Sequence, residues 1–152
     1  MDATPDLSSF APLVYAIVKQ IPSGTVATYG QIASMIPPID DDMDAGAYAR
    51  LAPRWVGDVL NGISSIDEPS IPWHRVINSR GGISLPNESR AAALQRARLR
   101  HEGVEFDAHE QVNLNTYGWD GPPDEFLAHW GFMKPKSIKR PPPQGPQQMS
   151  LF

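Results

Sequence analysis

Proline punctuates this chain more than any other residue: sixteen occur in 152 residues. A proline in a helix interior removes a hydrogen bond and clashes with the preceding turn; in a central strand it removes a ladder bond. The regular elements must therefore be short and lie between the prolines. Leu13, Val14, Ile17, Val18 and Ile21 recur at helical spacing after Pro12, which predicts a helix over 9–20, broken by Pro22-Ser23-Gly24. Thr25-Val26-Ala27 reads as a short extended piece. Thr28 with Gln31 three residues on has the capping-box pattern of a second helix, with Ile32, Ala33, Met35 and Ile36 as its apolar face. Pro37-Pro38 stops it.

The acidic loop Asp40 to Asp44 leads to a third helix, from about Ala47 or Pro53 to Leu60, ended by Asn61-Gly62. Two helices joined in this way form a helix-turn-helix variant, although the 37–49 connection is longer than the usual tight turn. Ile71 to Asn78 and Ile83 to Leu85 read as strands around the turn Ser79-Arg80-Gly81-Gly82. Ser89 caps a fourth helix, which His101-Glu102-Gly103 closes. Val104–Phe106 and Gln111–Leu114 are expected to pair as a small hairpin. Residues 117–133 are aromatic but irregular. From Lys134 the prevalence of Pro and Gln predicts a disordered tail. The expected architecture is a small α/β, winged-helix-like domain over 10–133, with an N-terminal extension over 1–9 and the tail over 134–152.

Composition removes whole classes of function. There is no cysteine, so disulfide scaffolds, thiolate zinc sites and cysteine nucleophiles are excluded. The 41% apolar content, with four Trp, four Tyr and five Phe, suffices for a core. No apolar run approaches the ~20 residues of a membrane span, and Met1 to Ser9, with two acids and no base, does not read as a secretory signal. The expectation is an intracellular protein.

The net charge of −4 conceals alternating blocks. Residues 1–49 carry −5, residues 50–100 carry +4 from eight arginines and four acids, residues 101–133 carry −7, and residues 134–152 carry +4. A basic middle block that uses arginine alone suits phosphates and base edges, because the planar guanidinium offers a fork that an ammonium lacks. A solvated, salt-bridged surface explains the same charges.

Four motifs narrow the reading. Thr28-Tyr29-Gly30-Gln31-Ile32-Ala33, Arg54-Trp55-Val56-Gly57, Ile71-Pro72-Trp73-His74-Arg75-Val76 and His101-Glu102-Gly103 stand in this order. Together they make residues 10–119 resemble the alkyltransferase-like proteins, relatives of O6-alkylguanine-DNA alkyltransferase. In the alkyltransferases the central motif reads Pro-Cys-His-Arg-Val and the cysteine takes the alkyl group; here Trp73 stands in that slot. Alkyl transfer onto protein needs a soft nucleophile such as a thiolate, and an indole supplies none. The resemblance thus implies a protein that binds O6-alkylguanine in duplex DNA through a minor-groove helix-turn-helix, turns the base out, and flags it for another pathway such as nucleotide excision repair, without catalysis.

The same resemblance implies residue roles. Arg54 enters the stack in place of the extruded base, where a guanidinium can stack on its neighbours. Tyr29 helps rotate the 3′ phosphate and lines the pocket. Trp73 forms a pocket wall for the flipped guanine. Thr28, Gln31, Arg50, Gly57, Pro72, Arg80, Leu85 and Pro86 complete the expected DNA and lesion surface. His74 and Glu102 match the residues that activate the cysteine in the enzymes; here, with Arg75, they brace the loop. No metal or organic cofactor is implied, and the protein is expected to be a monomer, cytoplasmic in a bacterium or nuclear in a eukaryote.

Three features depart from the family pattern. Asp58 places a negative charge on the expected recognition helix. Ile63 to Pro72 is long and lacks the Asn-Pro hinge. Leu85-Pro86-Asn87 offers no cation at the pocket rim. Two other readings compete: an alkyltransferase with a non-cysteine acceptor, for which only His74 sits in the right segment, and a sequence-reading helix-turn-helix regulator. The latter leaves Pro-Trp-His-Arg and His-Glu-Gly unexplained. Finally, Gln148-Met149-Ser150-Leu151-Phe152 is similar to the short Gln-x-Ser-Leu-Phe peptides that dock bacterial repair proteins on the sliding clamp. In that reading Gln148, Leu151 and Phe152 make the contacts.

Overall fold

The structure, a computed structural model, describes residues 7–38, 43–86 and 89–140. The elements are α1 (Ala11–Val18), β1 (Ala27–Thr28), α2 (Tyr29–Met35), α3 (Ala45–Asn61), β2 (Val76–Ile77), α4 (Arg90–His101), α5 (Leu114–Tyr117) and α6 (Asp124–Trp130). Short 3-10 turns cover Glu68–Ser70 and Trp73–Arg75.

Helices α1 to α3 enclose the larger core. Val14, Ile17 and Val18 of α1 pack with Ile32 and Met35 of α2 and with Trp55, Val56 and Val59 of α3. Phe10 meets Trp55 edge-on at 6.1 Å between ring centroids, a favourable arrangement of ring quadrupoles. Helix α2 starts with one half of the expected capping box: the Thr28 hydroxyl accepts from the Gln31 amide at 3.0 Å, while the Gln31 side chain bonds to the Trp119 carbonyl and not back to the cap.

Helix α3 is longer than the sequence predicts. It starts at Ala45, capped by Asp44, whose carboxylate accepts from the Ala47 amide at 3.0 Å. Pro53 therefore lies inside the helix rather than at its start. Burial of Tyr48, Ala52, Trp55, Val56 and Val59 along one stripe holds the helix together across the missing bond. The connection from α2 is accordingly shorter than expected, and α2 with α3 forms the helix-turn-helix.

β1 and β2 pair in parallel, Ala27 with Val76 and Thr28 with Ile77. The expected strand over 71–78 is only this short pair, because Trp73–Arg75 coils into a 3-10 turn. Ile83–Leu85 is not a strand. Instead the Asn78 side chain caps the intervening turn, accepting from the Arg80 and Gly82 amides at 2.9 Å each. Gly81, at φ +90°, has its turn against Val112, whose amide donates to the Gly81 carbonyl at 2.7 Å. The expected 104–106/111–114 hairpin reduces to one bridge, Phe106 with Val112.

Ser89 caps α4 as expected. Leu99 of α4 joins Val26, Ile77, Val104 and Val112 in a second core. The buried Gln95 amide donates to the carbonyls of His74 (3.2 Å) and Val76 (2.9 Å) and so locks α4 to the 71–78 segment. Residues 117–133 are more ordered than their irregular composition implies. Beside β1, Val26 N–H donates to the Tyr117 carbonyl (2.9 Å) and the Val26 carbonyl accepts from the Trp119 amide (2.8 Å), and Trp130 of α6 stacks on Phe132 at 5.7 Å.

The first seven residues of the expected tail lie on the domain. Met133 N–H donates to the Met35 carbonyl (2.8 Å), Lys136 N–H to the Ser34 hydroxyl (3.0 Å), and Arg140 N–H to Asn115 Oδ1 (2.8 Å). The remainder, with Gln148, Leu151 and Phe152, is outside the described residues, as are residues 1–6. Among the described residues no helix is long and apolar enough to cross a membrane.

Candidate nucleic-acid interface

An open cavity of about 640 Å³ lies where the helix-turn-helix meets the 78–86 segment. Tyr29, the first residue of α2, and Arg54 and Gly57 on α3 form one side; Leu85 and Pro86 form the other. The Tyr29 ring lies against α3 at Gly57, where a Cβ would meet it in ordinary van der Waals contact at 3.7 Å. The Tyr29 hydroxyl bonds to the Ser84 side chain, while burial pushes its pKa up against the opposing pull of that bond. Tyr29 is thus a neutral donor and acceptor at neutral pH. Arg54 is exposed, so its guanidinium is free to leave the surface.

Five expected site residues therefore meet: Tyr29, Arg54, Gly57, Leu85 and Pro86. Asp58 lines the same cavity, as the sequence warned. Ser84, Asn61, Asn78 and Lys136 also line it and were not anticipated. No periodicity marks Ser84 or Asn78, and Lys136 sits in a stretch that reads as tail.

The other expected contacts are placed differently. Thr28 and Gln31 are buried at 2% and 1% exposure. Thr28 caps α2, and Gln31 Nε2 donates to the Trp119 carbonyl at 2.7 Å. Both side chains, expected at the DNA surface, face the interior here: Thr28 through its cap on the Gln31 amide and Gln31 through its bond to Trp119. Arg50 is exposed on α3, one turn before Arg54, outside the cavity. Arg80 faces a neighbouring cavity of about 490 Å³, with Arg96 and His109. Pro72 lines a third recess with Glu68 and Arg98, on another part of the surface.

Trp73 is not among the residues lining the Tyr29–Arg54 cavity, contrary to the expected wall. Its indole N–H donates to Glu68 Oε2 at 2.6 Å, and the Arg98 guanidinium lies 5.6 Å from its ring centroid. Arg98 also pairs with Glu68. The long 63–72 segment supplies Glu68, and this carboxylate turns the indole.

Behind it, His74 and Glu102 are hydrogen-bonded to one another. His74 Nε2 donates to Glu102 Oε2 at 2.8 Å. Arg75 donates to both Glu102 oxygens, from Nε at 3.0 and 3.1 Å and from Nη2 at 2.6 Å, and its Nη1 donates to the Ile21 carbonyl at 2.7 Å. Gly24 N–H adds a bond to Glu102 at 3.2 Å. Burial alone would raise the Glu102 pKa, but the bonds from Arg75, His74 and Gly24 outweigh it and hold it at about 2. Burial lowers the His74 pKa, the pull of Glu102 notwithstanding, so the imidazole is neutral.

A helix-turn-helix presenting an exposed arginine over a concave pocket, with a second face braced by an Arg–Glu–His cluster, defines a helix-turn-helix DNA-binding domain. The model of the 6-O-methylguanine DNA methyltransferase DNA-binding domain matches residues 9–104. The chain belongs to this family, as an alkyltransferase-like protein. It is 37% identical over 117 residues to alkyltransferase-like protein 1 of Schizosaccharomyces pombe, covering 74% of this chain and 96% of that one. It is 35% identical over 115 residues to a DNA base-flipping protein of Vibrio parahaemolyticus, covering 74% and 98%. The structure resembles that of S. pombe Atl1 in complex with damaged DNA containing O6-carboxymethylguanine, with a TM-score of 0.56, 35% identity, and coverage of 76% of this chain and 98% of that one.

Proposed function

We propose that this protein binds O6-alkylguanine in duplex DNA, turns the damaged base out of the stack, and holds it without transferring the alkyl group. The observation that carries the reading is that Arg54 and Tyr29 share one open cavity, in a chain without a single thiol. Helix α3 docks in the minor groove. The Arg54 guanidinium fills the space that the base vacates and stacks on its neighbours. Tyr29 steers the adjoining phosphate. A cavity of this size takes a purine and its adduct.

Trp73 occupies the slot of the acceptor cysteine and has no nucleophilic atom to offer. Neutral His74, held by Glu102, activates nothing and instead fixes the turn that carries the 78–86 rim. The lesion is then passed to other proteins, with nucleotide excision repair as the pathway, and the protein acts as a monomer. Residues 148–152 dock on a sliding clamp through Gln148, Leu151 and Phe152.

The test is prolonged incubation with an O6-methylguanine duplex, followed by intact-mass measurement and assay of the lesion. The expected result is saturable binding with protein mass unchanged and lesion intact. A gain of one methyl group on any of residues 71–75 would overturn the reading.

A further inference from the structure

Lys136 lies outside the matched domain, which ends at residue 104, yet it lines the cavity shared with Tyr29 and Arg54. The chain that carries it is anchored on both sides. Met133 N–H bonds to Met35 at the end of α2, and Lys136 N–H to Ser34. Pro135 packs on Gly121 and Ile138 on Gly118, two glycines whose missing side chains make room for this strap. The Lys136 side chain crosses Gly30, where a Cβ would stand 2.9 Å from Nζ. It ends at the cavity shared with Tyr29 and Arg54.

The charges of that cavity make the ammonium decisive. Its lining holds Arg54, Asp58 and Lys136 as ionised side chains. Arg54 and Asp58 cancel, so Lys136 alone leaves the cavity positive. The opposite rim, Leu85-Pro86, provides no cation. Among the described residues Lys136 has no carboxylate partner, and it is exposed, whereas Lys139 three residues on is held by Asp120 at 3.1 Å. An exposed, unpaired ammonium anchored at the edge of a concave site is suited to an oxyanion.

We propose that Lys136 is the oxyanion-binding residue of the Tyr29–Arg54 cavity, supplied by the C-terminal strap. The oxyanion is either the backbone phosphate beside the displaced nucleotide or the carboxylate of an anionic O6 adduct. This rests on the function proposed above. The strap thereby supplies the cation that the Leu85-Pro86 rim lacks and offsets the repulsion of Asp58.

The experiment titrates the full-length protein and its Lys136→Ala, Lys136→Arg and Lys139→Ala variants with three duplexes of one sequence, bearing guanine, O6-methylguanine or O6-carboxymethylguanine, between 50 and 200 mM salt, on the order of the range in which phosphate contacts separate. For a phosphate contact, Lys136→Ala weakens all three several-fold and reduces the salt slope by about one. For the adduct, the loss is confined to the carboxymethyl duplex. In either case Lys136→Arg retains binding, and Lys139→Ala, whose charge is already held by Asp120, changes little. Wild-type binding with Lys136→Ala unchanged on all three duplexes overturns the proposal alone. Failure of the wild type to bind any of them overturns the function on which it rests.

Discussion

The indole N–H of Trp73 donates to a carboxylate oxygen of Glu68 at 2.6 Å. That bond, reinforced by Arg98 over the ring, sets where the side chain in the acceptor slot points. The indole so held is not among the residues that line the Tyr29–Arg54 cavity. For Trp73 to meet a flipped base, the bond has to open.

Opening is therefore expected to limit lesion binding. A hydrogen bond to a charged group has a net value of about 1.5–3 kcal/mol, less where it is partly solvated. Removing it in Glu68→Ala is expected to raise affinity for an O6-methylguanine duplex by about fivefold, the equivalent of about 1 kcal/mol, with plain duplex unaffected. Parallel titrations with Trp73→Ala check the direction: if both variants bind the lesion like wild type, the indole plays no part in holding it.

Arg54→Ala separates insertion from simple phosphate contact. If the guanidinium fills the vacated space, lesion affinity falls more than plain-duplex affinity, and fluorescence of a base analogue beside the lesion no longer rises on binding. A phosphate contact instead weakens both duplexes alike and lowers the salt slope by about one.

Gln31→Ala tests whether this residue is a tie or a DNA contact. The substitution leaves the buried Trp119 carbonyl without its 2.7 Å donor, which is expected to lower stability by about 1–3 kcal/mol. Denaturant unfolding reads this loss, while the DNA affinity of the folded variant is expected to be unchanged. The opposite pattern would return Gln31 to the interface.

The brace sets the acid limit of the fold. Glu102 is held at about 2, below its ordinary 4.5. Its contribution is full above pH 4.5 and is lost as pH falls toward 2. His74, whose pKa is also lowered, acts in the same sense: stability is present above 6.5 and declines as the imidazole is forced to protonate. Unfolding measured at pH 7, 5 and 3 is expected to show falling stability, and Glu102→Gln to flatten the lower part of that curve.

The clamp-docking reading is tested separately, with a fluorescent peptide of residues 141–152 and a bacterial sliding clamp. Saturable binding abolished by Leu151→Ala with Phe152→Ala is the expected outcome. Binding indifferent to those changes would refute it.

Local chemistry made much of this protein legible. Thr28 and Ser89 cap their helices because a hydroxyl beside free amides has one local use, and the spacing of Val14, Ile17 and Val18 marks a buried face wherever the rest of the chain goes. Ordered motifs identified the family, and the absence of cysteine excluded thiol chemistry before any fold was considered. Pairings between distant segments were decided only in three dimensions. Pro53 sits inside α3 because a buried stripe on both sides outweighs one lost bond. The 71–78 strand shortens because Trp73–Arg75 must coil to bring His74 and Arg75 onto Glu102. Thr28 and Gln31 turn inward, Trp73 turns to Glu68, and Lys136 crosses more than a hundred residues of sequence to reach Gly30. Each outcome depends on which partner a side chain finds across the fold, and a linear pattern records the side chain but not the partner.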